Sequence, residues 1–417
     1  MKRNQKIPLL GTDHFMLALE ANDTSIGTSG NSCRYILELD GEFNSERFKK
    51  LLQENELARW LTRFSLPKKM VHTKNWTEGK ENLIQVSTIH SDELVPKEII
   101  AAPIPKENAP LFYFHYVIGK NVNRLIFSWH HLLMDAYGAT LFLKNLETPI
   151  KVQTTNQEKS PFSLTVFKQL FQAKRFIDKT STGDIETIES SFSETVKQNY
   201  KVLSFSKNET QIIENKSINN GSKFGPSSYF LACSAKIVAD KIEQSGKLPK
   251  DFWIPVPQNS RKRGAKWPVI GNHLSFLFYR IKKEYYKDKK ALTVVINEQM
   301  MQQIRAKNPQ AYAHLLNYLR HIPTWIYAKL IKGPNGKSLS SFLFTVAGEH
   351  PKNFQSLNGC KIKNALSIPP NTYPPGLTFA FTRFEDCIQI AIPYYEHLFN
   401  EEEIQDLLTD LRKELLT

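Results

Sequence analysis

The chain of 417 residues has only four cysteines, Cys33, Cys233, Cys360 and Cys387, and no two of them form a Cys-x-x-Cys pair. That scatter argues against a disulfide framework and against a structural zinc site. No apolar run is long enough to span a bilayer, so no transmembrane helix is expected. A secretory leader would need an apolar core, yet Lys2, Arg3 and Lys6 are followed by Pro8 and Asp13, which makes the cytoplasm the expected location. A Gly-x-Ser-x-Gly elbow is absent, which leaves a hydrolytic triad without its nucleophile turn. No repeat of fixed short period is apparent. Acidic residues are the scarcer sign, 41 against 55 Lys and Arg, for a net charge of +14. The basic residues are spread over many segments and no nucleic-acid-binding module is visible, so nucleic acid is not an expected partner. A hydrophobic fraction of 41% at this length is enough for two domains of ordinary size.

Against these absences, one stretch is dense in chemistry. Trp129-His130-His131-Leu132-Leu133-Met134-Asp135 follows the apolar run Leu125-Ile126-Phe127 and precedes Ala136-Tyr137-Gly138-Ala139. Alternation up to Ser128 predicts a strand, and residues 138–146 predict the helix after it, so the histidines are expected in a strand-to-helix loop. Asp135 is placed to accept backbone N–H bonds at the start of that helix. An imidazole in a buried, polar-lined loop can act as general base toward a hydroxyl, amine or thiol, the chemistry of acyl transfer from a thioester. Two plainer readings compete. The histidines could be satisfied core residues, or His131 and Asp135 could ligate a metal, although no nearby residue of suitable spacing supplies a third ligand.

His130-His131-x-x-x-Asp135 resembles the HHxxxD(G) signature of the CoA-dependent acyltransferase superfamily, which includes condensation domains of nonribosomal peptide synthesis, wax ester synthase/diacylglycerol acyltransferases, alcohol acetyltransferases and polyketide-associated acyltransferases. Three further stretches are similar to the same family. Near the start, Ile7-Pro8-Leu9-Leu10-Gly11-Thr12-Asp13 is followed by Leu37-Glu38-Leu39-Asp40-Gly41. Later, Ile254-Pro255-Val256 comes with Arg261 and Gly271-Asn272-His273-Leu274-Ser275. The end runs from Pro374-Pro375-Gly376-Leu377 through residues 388–392 to a helix over 401–416. The Gly that usually follows the motif Asp is Ala136 here, with Gly138 two places on. The DFGWG element of the plant BAHD branch is absent, which argues for the bacterial or fungal-type branches.

The resemblance implies an α/β fold of mixed sheets, in two chloramphenicol-acetyltransferase-like subdomains that form a V with a central channel. It implies His131 as the general base, His130 as mainly positional, and Asp135 as a loop-holding carboxylate paired with an arginine, for which Arg261 is the candidate. Gly138 would relieve crowding at the helix start, and Asn272 and Ser275 would line the channel and help hold the thioester or its oxyanion. The donor would be acyl-CoA or a phosphopantetheinyl acyl carrier protein, with no permanently bound cofactor. The acceptor would be a hydroxyl, slightly favoured, or an amine, in lipid or secondary metabolite biosynthesis. The alternative is a catalytically inactive condensation-domain-like protein that binds a carrier protein or acyl chain.

Composition turns polar from residue 151, and residues 181–222 carry few apolar anchors apart from a strand at 200–205. The expected division is therefore 1–180, a crossing segment 181–222, and 223–417. Strands are expected at 33–39, 83–86, 111–118, 124–128, 252–256, 274–281, 341–347 and 377–381. Helices are expected at 45–55, 162–179, 227–242 and 311–331, the last interrupted by Pro323. The aromatic stripe of 311–331 predicts core packing, with peripheral membrane contact as the alternative. Basic clusters at 261–266 and 282–290 read either as solvated faces or as a docking site for an acidic donor. A monomer is expected.

Overall fold

Short alternating stretches of apolar and polar residues become strands, and stretches with apolar residues every three or four positions become helices. In this computed structural model, which describes residues 7–22, 31–67, 74–152, 163–188, 197–331 and 340–417, the chain opens with α1 (Gly11–Asn22), β1 (Ser32–Asp40), α2 (Ser45–Glu54), α3 (Glu56–Leu61), β2 (Phe64–Ser65), β3 (Thr77–Glu78), β4 (Val86–His90) and α4 (Lys97–Ala101). Then come β5 (Phe112–Ile118), β6 (Asn123–His130), α5 (Ala136–Glu147), α6 (Leu164–Ser181), β7 (Gln198–Ser204), α7 (Lys207–Asn219) and α8 (Ser227–Gln244). The remainder is β8 (Phe252–Asn259), β9 (Leu274–Ile281), α9 (Lys289–Arg305), α10 (Asn308–Leu319), α11 (Thr324–Leu330), β10 (Leu343–Glu349), β11 (Ser356–Leu357), β12 (Cys360–Ile368), β13 (Thr378–Phe384), β14 (Cys387–Tyr395) and α12 (Glu401–Leu416).

A six-stranded sheet has the order β11-β12-β1-β6-β5-β4 and a four-stranded sheet the order β10-β13-β14-β7. Both are mixed, since β4 runs parallel to β5 and β10 parallel to β13 while the other pairs are antiparallel. Sheet membership does not follow chain order. β11 and β12, far beyond residue 223, complete the first sheet, because Leu366 and Ile368 continue its apolar face beside Ile36. β7 belongs to the second sheet. Ile36, Val117, Ile126, Leu366 and Ile368 pack with Ala380 and Ala391 in one cluster, so small residues of the second sheet admit large residues of the first. Two larger cores lie beyond, one around Phe112, Phe127, Trp129 and Phe142, the other around Phe230, Ile254, Phe379 and Leu411.

Among the described residues, β8 and β9 pair only with each other as strands, in register from Phe252↔Ile281 to Asn259↔Leu274. Their base is in the second core, through Phe252, Ile254, Leu277 and Ile281. The loop between them plants Val269 and Ile270 in the first core. This ribbon is the arm that carries residues 260–273 to the motif loop.

Several expected elements move. The strand expected at 83–86 lies at 86–90, because Leu83 is largely exposed and the register with β5 begins at Val86, opposite Phe114. Pro323 divides the expected helix 311–331 into α10 and α11. Leu316 and Tyr327 are buried there and Tyr312 and Leu319 pack against the same cluster, whereas Trp325 and Leu330 are exposed, so the aromatic stripe packs inward only in part. Phe162 lies outside the described residues, and α6 starts at Leu164 behind the N-cap Ser163.

Candidate active site

β6 extends to His130, so only His131 stands in the loop proper, and the expectation that both histidines lie in it is corrected. The extra length comes from pairing: Ser32 opposes His130 across the ladder, and the His130 amide donates to Leu111 O at 2.9 Å. The loop then closes on itself. Leu133 N donates to His130 O at 2.9 Å, and the Trp129 indole donates to Met134 O at 2.8 Å.

Asp135 ends the loop as N-cap of α5, its Oδ1 accepting from Gly138 N at 2.8 Å. Its Oδ2 accepts from Arg261 Nη1 at 2.7 Å and from His273 N at 2.9 Å. The side chains of Arg261 and Asp135 are 2% and 3% exposed, so this ion pair is sealed from water. Arg261 Nε donates to Pro268 O, and the guanidinium lies over the Tyr137 ring. These contacts take Arg261 out of the basic surface cluster in which its sequence neighbours placed it. In the second cluster, Lys287 pairs with Asp240 and Glu243, Lys289 with Glu414, and Lys282 with Glu284. Lys262, Arg263 and Lys266 are exposed.

A Cβ on Gly138 would come within 2.5 Å of Val269 O, so glycine is what lets the ribbon loop rest on the helix start. Ala136 is the first residue of α5 and has no positive φ, so the alanine in place of the usual glycine costs no backbone strain here.

His131 is anchored by its backbone. Its N–H donates to Asn31 O at 2.8 Å, and its carbonyl accepts from Asn272 Nδ2 at 2.9 Å. Nδ1 is buried without a hydrogen-bond partner, and the residue as a whole is half-buried. Burial lowers its pKa and outweighs the nearby Asp135 carboxylate, which favours the charged ring, so the imidazole is neutral at physiological pH. His130 is buried more deeply. Its Nδ1 accepts from Leu132 N at 3.2 Å, which puts the ring proton on Nε2, 3.6 Å from Glu20 Oε2. Burial, helped by Lys106, brings its pKa down to about 3. With Nδ1 taken up by the backbone, the ring is neutral at physiological pH.

Asn272 supports the site by holding backbone. Besides His131 O, its amide and side-chain N–H groups both donate to Asp13 Oδ1, at 2.9 and 3.0 Å, and its carbonyl accepts from the Thr12 hydroxyl. Ser275 does not join this group. Its hydroxyl donates to Pro309 O at 2.6 Å at the start of α10, so the expected channel-lining role is corrected to a tether. The reason is the two-residue period of β9: Ser275 is in the strand, and its side chain faces α10.

Sequence reasoning passed over Asp13 and His273. Asp13, wholly buried, takes three N–H donors, from Leu10 N and the two on Asn272, and burial nonetheless pushes its pKa up to about 6. His273 sits with its amide on Asp135, and burial beside Arg261 brings its pKa down to about 4. Both lie in the stretches that resemble the acyltransferases, which was the available signal. Among the described residues, no group of three or more His, Cys, Asp or Glu could hold a metal ion. A cleft of about 760 Å³ lies elsewhere, lined by Leu52, Arg59, Leu83 and Val86 among others, and no motif residue borders it.

No family model and no curated protein matches the sequence. Solved structures do match. The trichothecene 15-O-acetyltransferase of Fusarium sporotrichioides superposes with a TM-score of 0.69 at 12% identity, over 98% of this chain and 94% of that one. The first condensation domain of the calcium-dependent antibiotic synthetase gives 0.68 at 11% identity, over 99% and 97%. The epimerization domain from the third module of tyrocidine synthetase B gives 0.65 at 12% identity, over 99% and 97%. Matches this full in length and this low in identity speak for the architecture, and the chain has the fold that these condensation, epimerization and O-acetyltransferase structures share.

Proposed function

We propose that the chain is an acyltransferase that moves an acyl group from a CoA or acyl-carrier-protein thioester to a hydroxyl or amine acceptor, ester formation being favoured. The observation that carries this reading is His131, a neutral imidazole on a loop held by a sealed carboxylate–guanidinium pair, in a chain of this fold. His131 would take the acceptor proton as the acceptor oxygen or nitrogen attacks the thioester carbonyl. The tetrahedral intermediate would then collapse by breaking the C–S bond, and the proton would leave with the thiol. His130, Asp135, Arg261 and Asn272 would act through the position of His131 and touch no substrate. A channel between the two halves would bring donor and acceptor to the loop from opposite sides.

The test is incubation of the purified chain with acyl-CoA thioesters and with acylated phosphopantetheinyl carrier proteins, each with hydroxyl and amine acceptors. Ester or amide product is read by mass spectrometry, and released thiol is read in parallel. Product and thiol are expected in equal amounts. Absence of transfer from both donor types to both acceptor classes would overturn the proposal.

A further inference from the structure

The helix α6 is apolar on two opposite faces. Val166 and Ala173 are buried, and Phe176 and Ile177 pack against the aromatic cluster of Trp253, Phe276 and Phe278. At 100° per residue, Leu164, Phe167 and Phe171 fall in one stripe on the other side. They are 84%, 64% and 69% exposed. A monomeric soluble protein gains nothing by presenting three large apolar side chains in a row, and such stripes mark contact with a partner or a membrane. Charge decides between occupants. Lys168, Lys174, Arg175 and Lys179 share the helix with a single acid, Asp178, and the whole chain carries +14. Like charge disfavours a second copy of the same face, whereas basic residues beside an apolar stripe suit the headgroups of an anionic bilayer.

We infer that α6 is a membrane-surface element that seats Leu164, Phe167 and Phe171 among the lipids of an anionic bilayer, with Lys168 and Arg175 at the headgroups. The inference does not depend on the reaction. It puts the membrane contact on the face opposite the packed side of α6, where three large apolar side chains are exposed in one stripe, against two, Trp325 and Leu330, in residues 311–331. Insertion needs no refolding, since the helix is already held by its inner face.

The experiment is co-sedimentation of the whole chain with phosphatidylcholine vesicles and with vesicles of phosphatidylcholine and phosphatidylglycerol, at low and high salt. Binding is expected only to the anionic vesicles and is expected to weaken with salt. The variants Phe167→Ser/Phe171→Ser and Lys168→Glu/Arg175→Glu should each lower the bound fraction, corresponding to a loss of about tenfold or more in partitioning. All four residues are on the surface, and melting temperatures near wild type would show that the fold is kept. Failure to sediment with anionic vesicles, or equal sedimentation of both variants and wild type, would overturn the inference. So would a wild type that elutes as a dimer and becomes monomeric in the Phe167→Ser/Phe171→Ser variant, since the stripe would then belong to a second copy.

Discussion

At the scale of single residues, His131 and Asp135 should fail in different ways. His131 is held by its backbone, and its Nδ1 has no hydrogen-bond partner, so His131→Ala should lower acyl transfer on the order of a hundredfold or more while leaving the melting temperature nearly unchanged. Turnover near wild type would remove His131 as the base. Asp135→Asn should lower both activity and stability. Asn can still cap α5, but it sets an amide opposite Arg261 Nη1 and His273 N, donors against donors at side chains almost wholly buried. Stranding one partner of a buried pair costs about 3–5 kcal/mol, which denaturant unfolding will detect. The double variant Asp135→Asn/Arg261→Met should recover part of that loss, because it leaves no uncompensated charge. Equal unfolding midpoints for Asp135→Asn and wild type would deny the carboxylate its structural role.

At the scale of elements, the loop from 260 to 273 has two jobs on its two sides. Inward, it delivers Arg261, Asn272 and the His273 amide; outward, it presents Lys262, Arg263 and Lys266 to solvent. If these three steer an acidic thioester donor, reversing them to Glu should raise the KM for the donor and leave that for the acceptor unchanged. Added salt should reproduce the effect in wild type, since exposed charges are screened beyond about 10 Å at ~0.1 M. A donor KM that is flat in both experiments would assign the lysines to solubility. β9 was legible over 274–281 from its apolar run, and α12 over 401–416 from the resemblance of the chain's end to the acyltransferases. The helix α7 was not, because only Thr210, Ile213 and Ser217 are buried on it and a stripe that narrow and polar resembles a linker. β12 escaped notice because its partner, β1, lies more than three hundred residues earlier. The site divides the same way. Arg261 could be named because the resemblance asks for an arginine near Pro255-Val256, whereas no local pattern ties Asp13 to an asparagine 259 residues away.

At the scale of the whole molecule, buried titratable groups set the response to acid. His130 and His273 have pKa values near 3 and 4 in place of the ordinary 6.5, so below 6.5 the unfolded chain binds protons that the native one refuses. Stability should therefore fall as pH drops from 6.5 toward 4, at about 1.4 kcal/mol per pH unit for each proton so refused. Asp13 has the opposite sign. With its pKa raised from 3.8 to about 6, its contribution is present in full below 3.8 and is lost as pH rises through 6, so between those values it offsets one histidine. Melting temperatures across pH 4–8 should show a net acid decline, shallower in His130→Gln and steeper in Asp13→Asn; a flat profile would contradict the buried neutral rings. The ribbon of β8 and β9 adds a consequence in time. Asp135 waits for an amide 138 residues later in the chain, and at ribosomal rates of about 5–20 residues per second that is roughly 7–28 s in which the histidine loop has emerged without its clasp. A nascent chain therefore carries the chemistry of the motif well before it has the means to aim it, and longer still before β12 completes the sheet that bears it.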